Sequence, residues 1–154
     1  MQELDDNRIP RSALLLGLLG VVPFWGMALL ASLADSSDLA ELGLKGSLAY
    51  GAVILSFLGG IRWGAALRGI GASQRRFDFA ISVIPSLAGW AALLIPAIPA
   101  VSLLIAGLLM QSLWDVTSTQ EGRLPGWFAK LRVILTGLAV CALMLLLGRL
   151  LLPA

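Results

Sequence analysis

"SALLLGLLGVVPFWGMALLASLA", Ser12 to Ala34, carries no charged residue from end to end. A helix rises about 1.5 Å per residue, so a run of this length covers the roughly 30 Å of a bilayer's hydrocarbon layer. A surface helix of a soluble domain would show a charged or polar stripe, and this one has none. The composition agrees. Of 154 residues, 58% are hydrophobic and 13% charged, with a mean hydropathy of +0.91, whereas a soluble domain is about 25% charged. The expected fold class is therefore all-α, an integral membrane bundle, with residues 1–154 forming a single membrane domain.

Beyond that first span, four more segments are apolar enough to enter the membrane. The second runs from about Ser47 to Leu67 and the fifth from about Phe128 to Leu152. The third, about Phe79 to Ile95, and the fourth, about Pro99 to Trp114, are shorter. They are joined by "IPAIPA", where Pro96 and Pro99 break the helix, so they form one hairpin. That hairpin either spans or is re-entrant, and both readings return the chain to the side it left. Five transmembrane helices are predicted.

Arg8, Arg11, Arg68, Arg75, Arg76, Arg123, Lys130 and Arg132 fall on one side of this layout, and only Lys45 and Arg149 on the other. Cytoplasmic loops hold the excess of Lys and Arg, so the N-terminus is expected in the cytoplasm and the C-terminus outside. "DSSDLAELGLK", Asp35 to Lys45, then reads as a solvated acidic loop on the outer side. "ASLADSS" offers a signal-peptidase spacing, but the apolar run before it is longer than a signal's and its leader is partly acidic (Glu3, Asp5, Asp6). No Arg-rich mitochondrial leader is present either, and the expected location is a bacterial inner membrane, multi-pass.

The absences narrow the chemistry. Histidine does not occur and Cys141 is the single cysteine, so no disulfide framework, zinc site or histidine acid-base pair can be assembled from this chain. No catalytic residue, metal or cofactor is predicted. A net charge of +2, with basic residues scattered at span ends, gives no nucleic-acid stripe. "EGRLPG" is no phosphate loop, because neither a strand nor a Gly-Lys-Ser/Thr accompanies it.

One residue stands out within a span. In "ILSFLGGIRWGAALRG", Ile54 to Gly69, Arg62 interrupts an apolar helix. Arginine at mid-span costs about 2.5 to 3.5 kcal/mol on insertion scales unless it snorkels or finds a partner. Two readings stand: a snorkelled anchor beside Trp63, or an inward arginine paired across the bundle. For the second, "MQSLWDVTSTQ" supplies Gln111 and Asp115 on one face of the fourth helix, with Asp115 the first choice of partner and Asp78 the next. Ser56, Gly60 and Gly64 recur every four residues, the small-residue pattern that lets two helices approach closely in lipid. Pro23 and Pro85 are expected to kink their helices. At the entry to the fifth span, Trp127, Phe128, Lys130 and Arg132 read as interfacial anchors, or Arg62, Arg123 and Arg132 surround a pocket for an anionic headgroup or metabolite.

"FLGGIRWG", "SVIPSLAGW", "LWD" and "LPGWFAKLRVILT" together resemble the small five-helix membrane proteins grouped as domain of unknown function 3429. The likeness covers about Tyr50 to Leu138. It implies as family marks Gly59, Gly60, Arg62, Trp63 and Gly64, then Pro85, Trp90 and Asp115, then Leu124, Pro125, Trp127, Leu131 and Arg132. Phe128 stands where the family pattern leads one to expect tyrosine, which argues against a catalytic phenol there. The resemblance implies a fold and a residue list but no reaction.

Three functions compete. The first is a non-enzymatic helper or lipid- or partner-binding bundle with a polar centre around Arg62 and Asp115. The second is a small oligomeric transporter or channel for an ion or anionic metabolite, and the third, last in rank, is an enzyme. The partners expected are the lipid bilayer with its anionic headgroups and a membrane protein or second copy of the chain.

Overall fold

The computed structural model describes residues 8–68 and 78–152. Among these the chain is all helix: α1 (Arg11–Leu33), α2 (Ser37–Arg68), α3 (Asp78–Ala92), α4 (Ala97–Gln120) and α5 (Gly126–Leu151). Four of them, α1, α2, α4 and α5, are long and apolar enough to cross a membrane. The exception is α3, roughly 22 Å long at about 1.5 Å per residue, which is shorter than the hydrocarbon layer. Five membrane helices were expected, and four helices of spanning length plus one short companion are found.

Two boundaries differ from the sequence expectation for physical reasons. The acidic segment after Asp35 is not a loop: α2 begins at Ser37, 32 residues in all, with Asp38 in its first turn. Glu41 and Lys45, four apart, make a 2.6 Å ion pair on its exposed face, which is the spacing that supports a helix in water. The fourth helix is 24 residues, longer than expected at both ends. Pro96 is its N-cap, and Pro99 sits in the first turn, where a missing N–H disrupts no intrahelical bond. Pro23 lies inside a continuous α1, and Pro85 follows a break at Val83 that splits α3.

α1, α2, α4 and α5 pack in a four-helix ring, with α3 outside against α2 and α4. Fully buried Leu55, Leu104, Leu108, Leu143 and Leu146 fill its centre. α2 and α4 run side by side in the same direction, and each gives a glycine to the other's leucine. A methyl added to Gly51 would meet Leu104 at 2.7 Å, and one on Gly107 would meet Leu55 at 2.7 Å. α3 approaches α2 through Gly59, whose added methyl would lie 2.5 Å from the Ser82 carbonyl, and through Gly89 against Ala52.

The stripe expected to pack, Ser56, Gly60 and Gly64, is not the contact face. Gly60 and Gly64 are exposed, and a methyl on either would meet nothing within 4 Å. The four-residue spacing holds one residue out of phase: the buried side of α2 carries Gly51, Leu55 and Gly59, flanked by Ala52 and Leu58, so the neighbouring glycine, Gly59, takes the close approach.

These contacts also fix how the ends align. Gly17 of α1 lies against Leu135 of α5, and the two helices run parallel from the same end of the bundle. The start of α1, the end of α2, the start of α3, the end of α4 and the start of α5 therefore share one end. The described ends of the chain lie at opposite ends of the bundle.

Candidate functional site

At that shared end the ring acquires its polar interior. Gln111, Ser112, Asp115 and Ser118 are buried on α4, and Arg132 and Thr136 are buried on α5. The turn between those helices makes the meeting possible. Gly122 adopts φ +72°, a conformation open chiefly to glycine. Arg123 N–H donates to the Ser118 carbonyl at 2.9 Å and Gly122 N–H to the Thr119 carbonyl at 3.1 Å, the double bond pattern that ends a helix tightly. Pro125 then caps α5, which starts at Gly126, and the chain doubles back so that residues 17 apart face each other.

The result is an ion pair: Arg132 Nε donates to Asp115 Oδ2 at 2.5 Å, with Asp115 wholly inaccessible and Arg132 only 7% exposed. Taking two charges out of water is costly, and a lone partner left behind would lose about 3 to 5 kcal/mol of stability. Their mutual attraction offsets that cost. The pair is nevertheless incompletely bonded, because Asp115 Oδ1 and Arg132 Nη2 are buried with no hydrogen-bond partner among the described residues. Ser118 Oγ and Thr136 Oγ1 share that condition.

The partner expected for Asp115 was Arg62, and here the structure corrects the sequence reading. Arg62 makes no salt bridge among the described residues; its guanidinium carbon lies 4.1 Å above the Trp114 ring, a cation–π contact. The reason is reach and phase. Arg62 leaves α2 on the side that meets Trp114, one residue before Asp115, while Asp115 itself turns toward α5. Arg62 is half-buried, its Nε is without a hydrogen-bond partner, and Asp78 and Asp115 act on it only through longer-range attraction. Asp78, the second candidate, faces Arg123 at 4.0 Å, and Arg123 also holds Glu121 at 2.9 Å.

The other expected residues fall around this centre. Gln111 Nε2 donates to the Leu58 carbonyl at 3.1 Å, both buried, tying α4 to α2 one turn below Asp115. Trp63 is 47% exposed and packs against Phe79 of α3 with ring centroids 4.7 Å apart. Trp127 and Phe128 pack edge to face at 5.8 Å at the start of α5. Thus Arg62, Gln111, Asp115 and Arg132 converge, Trp63 and Arg123 rim the site, and Ser56, Gly60 and Gly64 do not contribute to it. Arg75 and Arg76 lie outside the described residues.

Sequence reading overlooked Thr136 and did not foresee the contact that Tyr50 makes. Thr136 was signalled by its place four residues after Arg132, hence on the same helix face. Tyr50 O–H donates to the Gly20 carbonyl at 2.7 Å and its ring meets Phe24 edge-on at 5.0 Å. Gly20 lies in the turn just before Pro23, so the phenol braces α1 where proline weakens the backbone ladder.

The family described as "Protein of unknown function (DUF3429)" matches residues 9–148. Transmembrane protein 69 of Xenopus tropicalis is 38% identical over 137 residues, covering 87% of this chain and 53% of the relative. Transmembrane protein 69 of Mus musculus is 35% identical over 133 residues, covering 82% of this chain and 51% of the relative. The chain spans about half the length of these curated relatives. No solved structure matches. Several residues that carry the family resemblance are the ones that touch here: Gly59 against Pro85, and Asp115 against Arg132.

Proposed function

Starting from the fact that the chain belongs to the family described as "Protein of unknown function (DUF3429)", whose description assigns no reaction, we propose that it is a non-catalytic membrane bundle that binds lipid at a polar centre built on Asp115 and Arg132. The observation that supports this reading is the uneven filling of the ring. Among the described residues the buried polar side chains gather at one end, with Ser47 the exception toward the other, while the middle is packed with Leu55, Leu104, Leu108, Leu143 and Leu146. A transport path needs polar groups along its length, and a middle packed with leucine gives an ion no stepping stones. A charged centre confined to one interface suits headgroup recognition instead.

We place that end at the cytoplasmic face of a bacterial inner membrane. Arg8, Arg11, Arg123, Lys130 and Arg132 belong to it, against Lys45 and Arg149 at the other end, which supports the positive-inside reading. The transporter reading draws its support from a single feature, the intramembrane ionisable pair with unbonded atoms.

Reconstitution of the purified chain tests the choice. In phosphatidylcholine vesicles, chloride, phosphate and proton flux should equal that of empty vesicles, and added phosphatidylglycerol should raise the thermal midpoint more than added phosphatidylcholine does. A saturable flux that Asp115→Asn abolishes would favour transport and contradict the lipid-binding reading.

A further inference from the structure

The ring is not closed all the way round. α1 and α2 touch tightly where Gly43 and Gly46 meet Ala31 and Met27, and Tyr50 ties them at Gly20. Past that tie the two helices part, leaving a cleft of about 330 Å³ between the first half of α1, the last half of α2 and the start of α5. Its volume is at the lower end of the range for small-molecule sites. Leu16 and Phe57, 69% and 65% exposed, frame its mouth on the lipid-facing surface of the bundle. Ile61 and Leu135 continue its apolar walls.

Two side chains on the inner wall break this apolar lining. Arg132 and Thr136, one helical turn apart on α5, both line the cleft, both are more than nine-tenths buried, and both hold an unbonded donor, Nη2 and Oγ1. A buried donor left unbonded costs about 1 to 3 kcal/mol, more when charged, so such a pair marks where an acceptor belongs. The unbonded nitrogen of Arg132 is cationic, so the acceptor that suits it best is an anionic oxygen.

We propose that this cleft holds one acyl chain ending in an anionic oxygen group, a carboxylate or a phosphate ester, taken laterally from the bilayer. The oxygens accept from Arg132 Nη2 and Thr136 Oγ1 while the chain lies along Leu16, Phe57, Ile61 and Leu135. This rests on the lipid-binding reading and gives it a ligand class and a position. Arg132 acts in two ways at once: Nε orients it on Asp115, and Nη2 is thereby aimed at the ligand.

The test is native mass spectrometry of the full chain released from phosphatidylcholine nanodiscs after loading with palmitic acid, lysophosphatidic acid, hexadecanol or inorganic phosphate. One equivalent of palmitic acid or lysophosphatidic acid should be retained, and the tighter of the two identifies the head as carboxylate or phosphate ester. Hexadecanol and inorganic phosphate should be held at least tenfold more weakly, since one lacks the charge and the other the chain. Thr136→Val, nearly isosteric, and Leu135→Trp, which fills the cleft, should each lower retention about tenfold or more. Equal retention of hexadecanol, or wild-type retention of both acids by both variants, overturns the assignment to this cleft while leaving lipid binding elsewhere intact. Failure to retain either acid, together with no stabilisation by phosphatidylglycerol, overturns both.

Discussion

Two ion pairs of nearly equal length sit in this molecule under opposite conditions. Asp115 and Arg132 meet at 2.5 Å with side chains 0% and 8% exposed, whereas Glu41 and Lys45 meet at 2.6 Å with side chains 59% and 72% exposed. Distance alone would rank them together. Burial separates them: solvent screens the second pair and entropy opposes holding it, so such contacts contribute little. The first pair has no water to fall back on, and removing one partner strands the other. The same contrast divides the bundle, with a polar end whose central charges are shut away from water and a far end whose charges are free to solvate.

The contrast can be broken most severely at Asp115. Asp115→Ala should lower unfolding stability in detergent by about 3 to 5 kcal/mol, because Arg132 is left buried and unpaired; a loss within 1 kcal/mol would mean that the arginine escapes to the surface. A second comparison concerns adjacent glycines on α2. Gly59→Ala drives a methyl against the Ser82 carbonyl and should cost about 1 to 3 kcal/mol, while Gly60→Ala meets nothing within 4 Å and should be neutral or stabilising by up to about 1 kcal/mol. Matching melting shifts for the two variants would restore Gly60 as the packing position. Arg62→Gln removes the contact over Trp114 and should cost about 0.5 to 2 kcal/mol, visible also as a change in tryptophan emission. At the far end, Glu41→Gln should leave the thermal midpoint unchanged, and a clear drop would show that the α2 extension depends on that surface pair.

Much of this was legible in the sequence. Charge-free runs give the spans directly, because lipid tolerates little else over about 20 residues. The set Arg62, Gln111, Asp115, Arg123 and Arg132 was also readable as one end of a bundle, from where each falls relative to the ends of its span. Who pairs with whom was not. Asp115 lies near both Arg62 and Arg132, and the choice depends on the rotation of α4 relative to two neighbours, which the tight turn at Gly122 sets and helical periodicity within one segment does not encode. The small-residue stripe failed for a related reason. Gly59 and Gly60 are adjacent, about 100° apart on the helix, and only the position of α3 decides which is used. The acidic start of α2 was misread as a loop because charge was weighed for topology and not for its i, i+4 spacing. The cleft lay beyond sequence altogether, since it exists only where two helices diverge.

A pair of charge-exchange cycles in detergent decides whether Asp115 belongs to Arg132. One combines Asp115→Arg with Arg132→Asp; the other combines Asp115→Arg with Arg62→Asp, each measured against its single variants by unfolding stability. Recovery of about 1 to 3 kcal/mol in the first cycle, and less than about 0.5 kcal/mol in the second, is the predicted result. Greater recovery in the cycle with Arg62 would contradict it, and would return the polar centre to the arginine of α2.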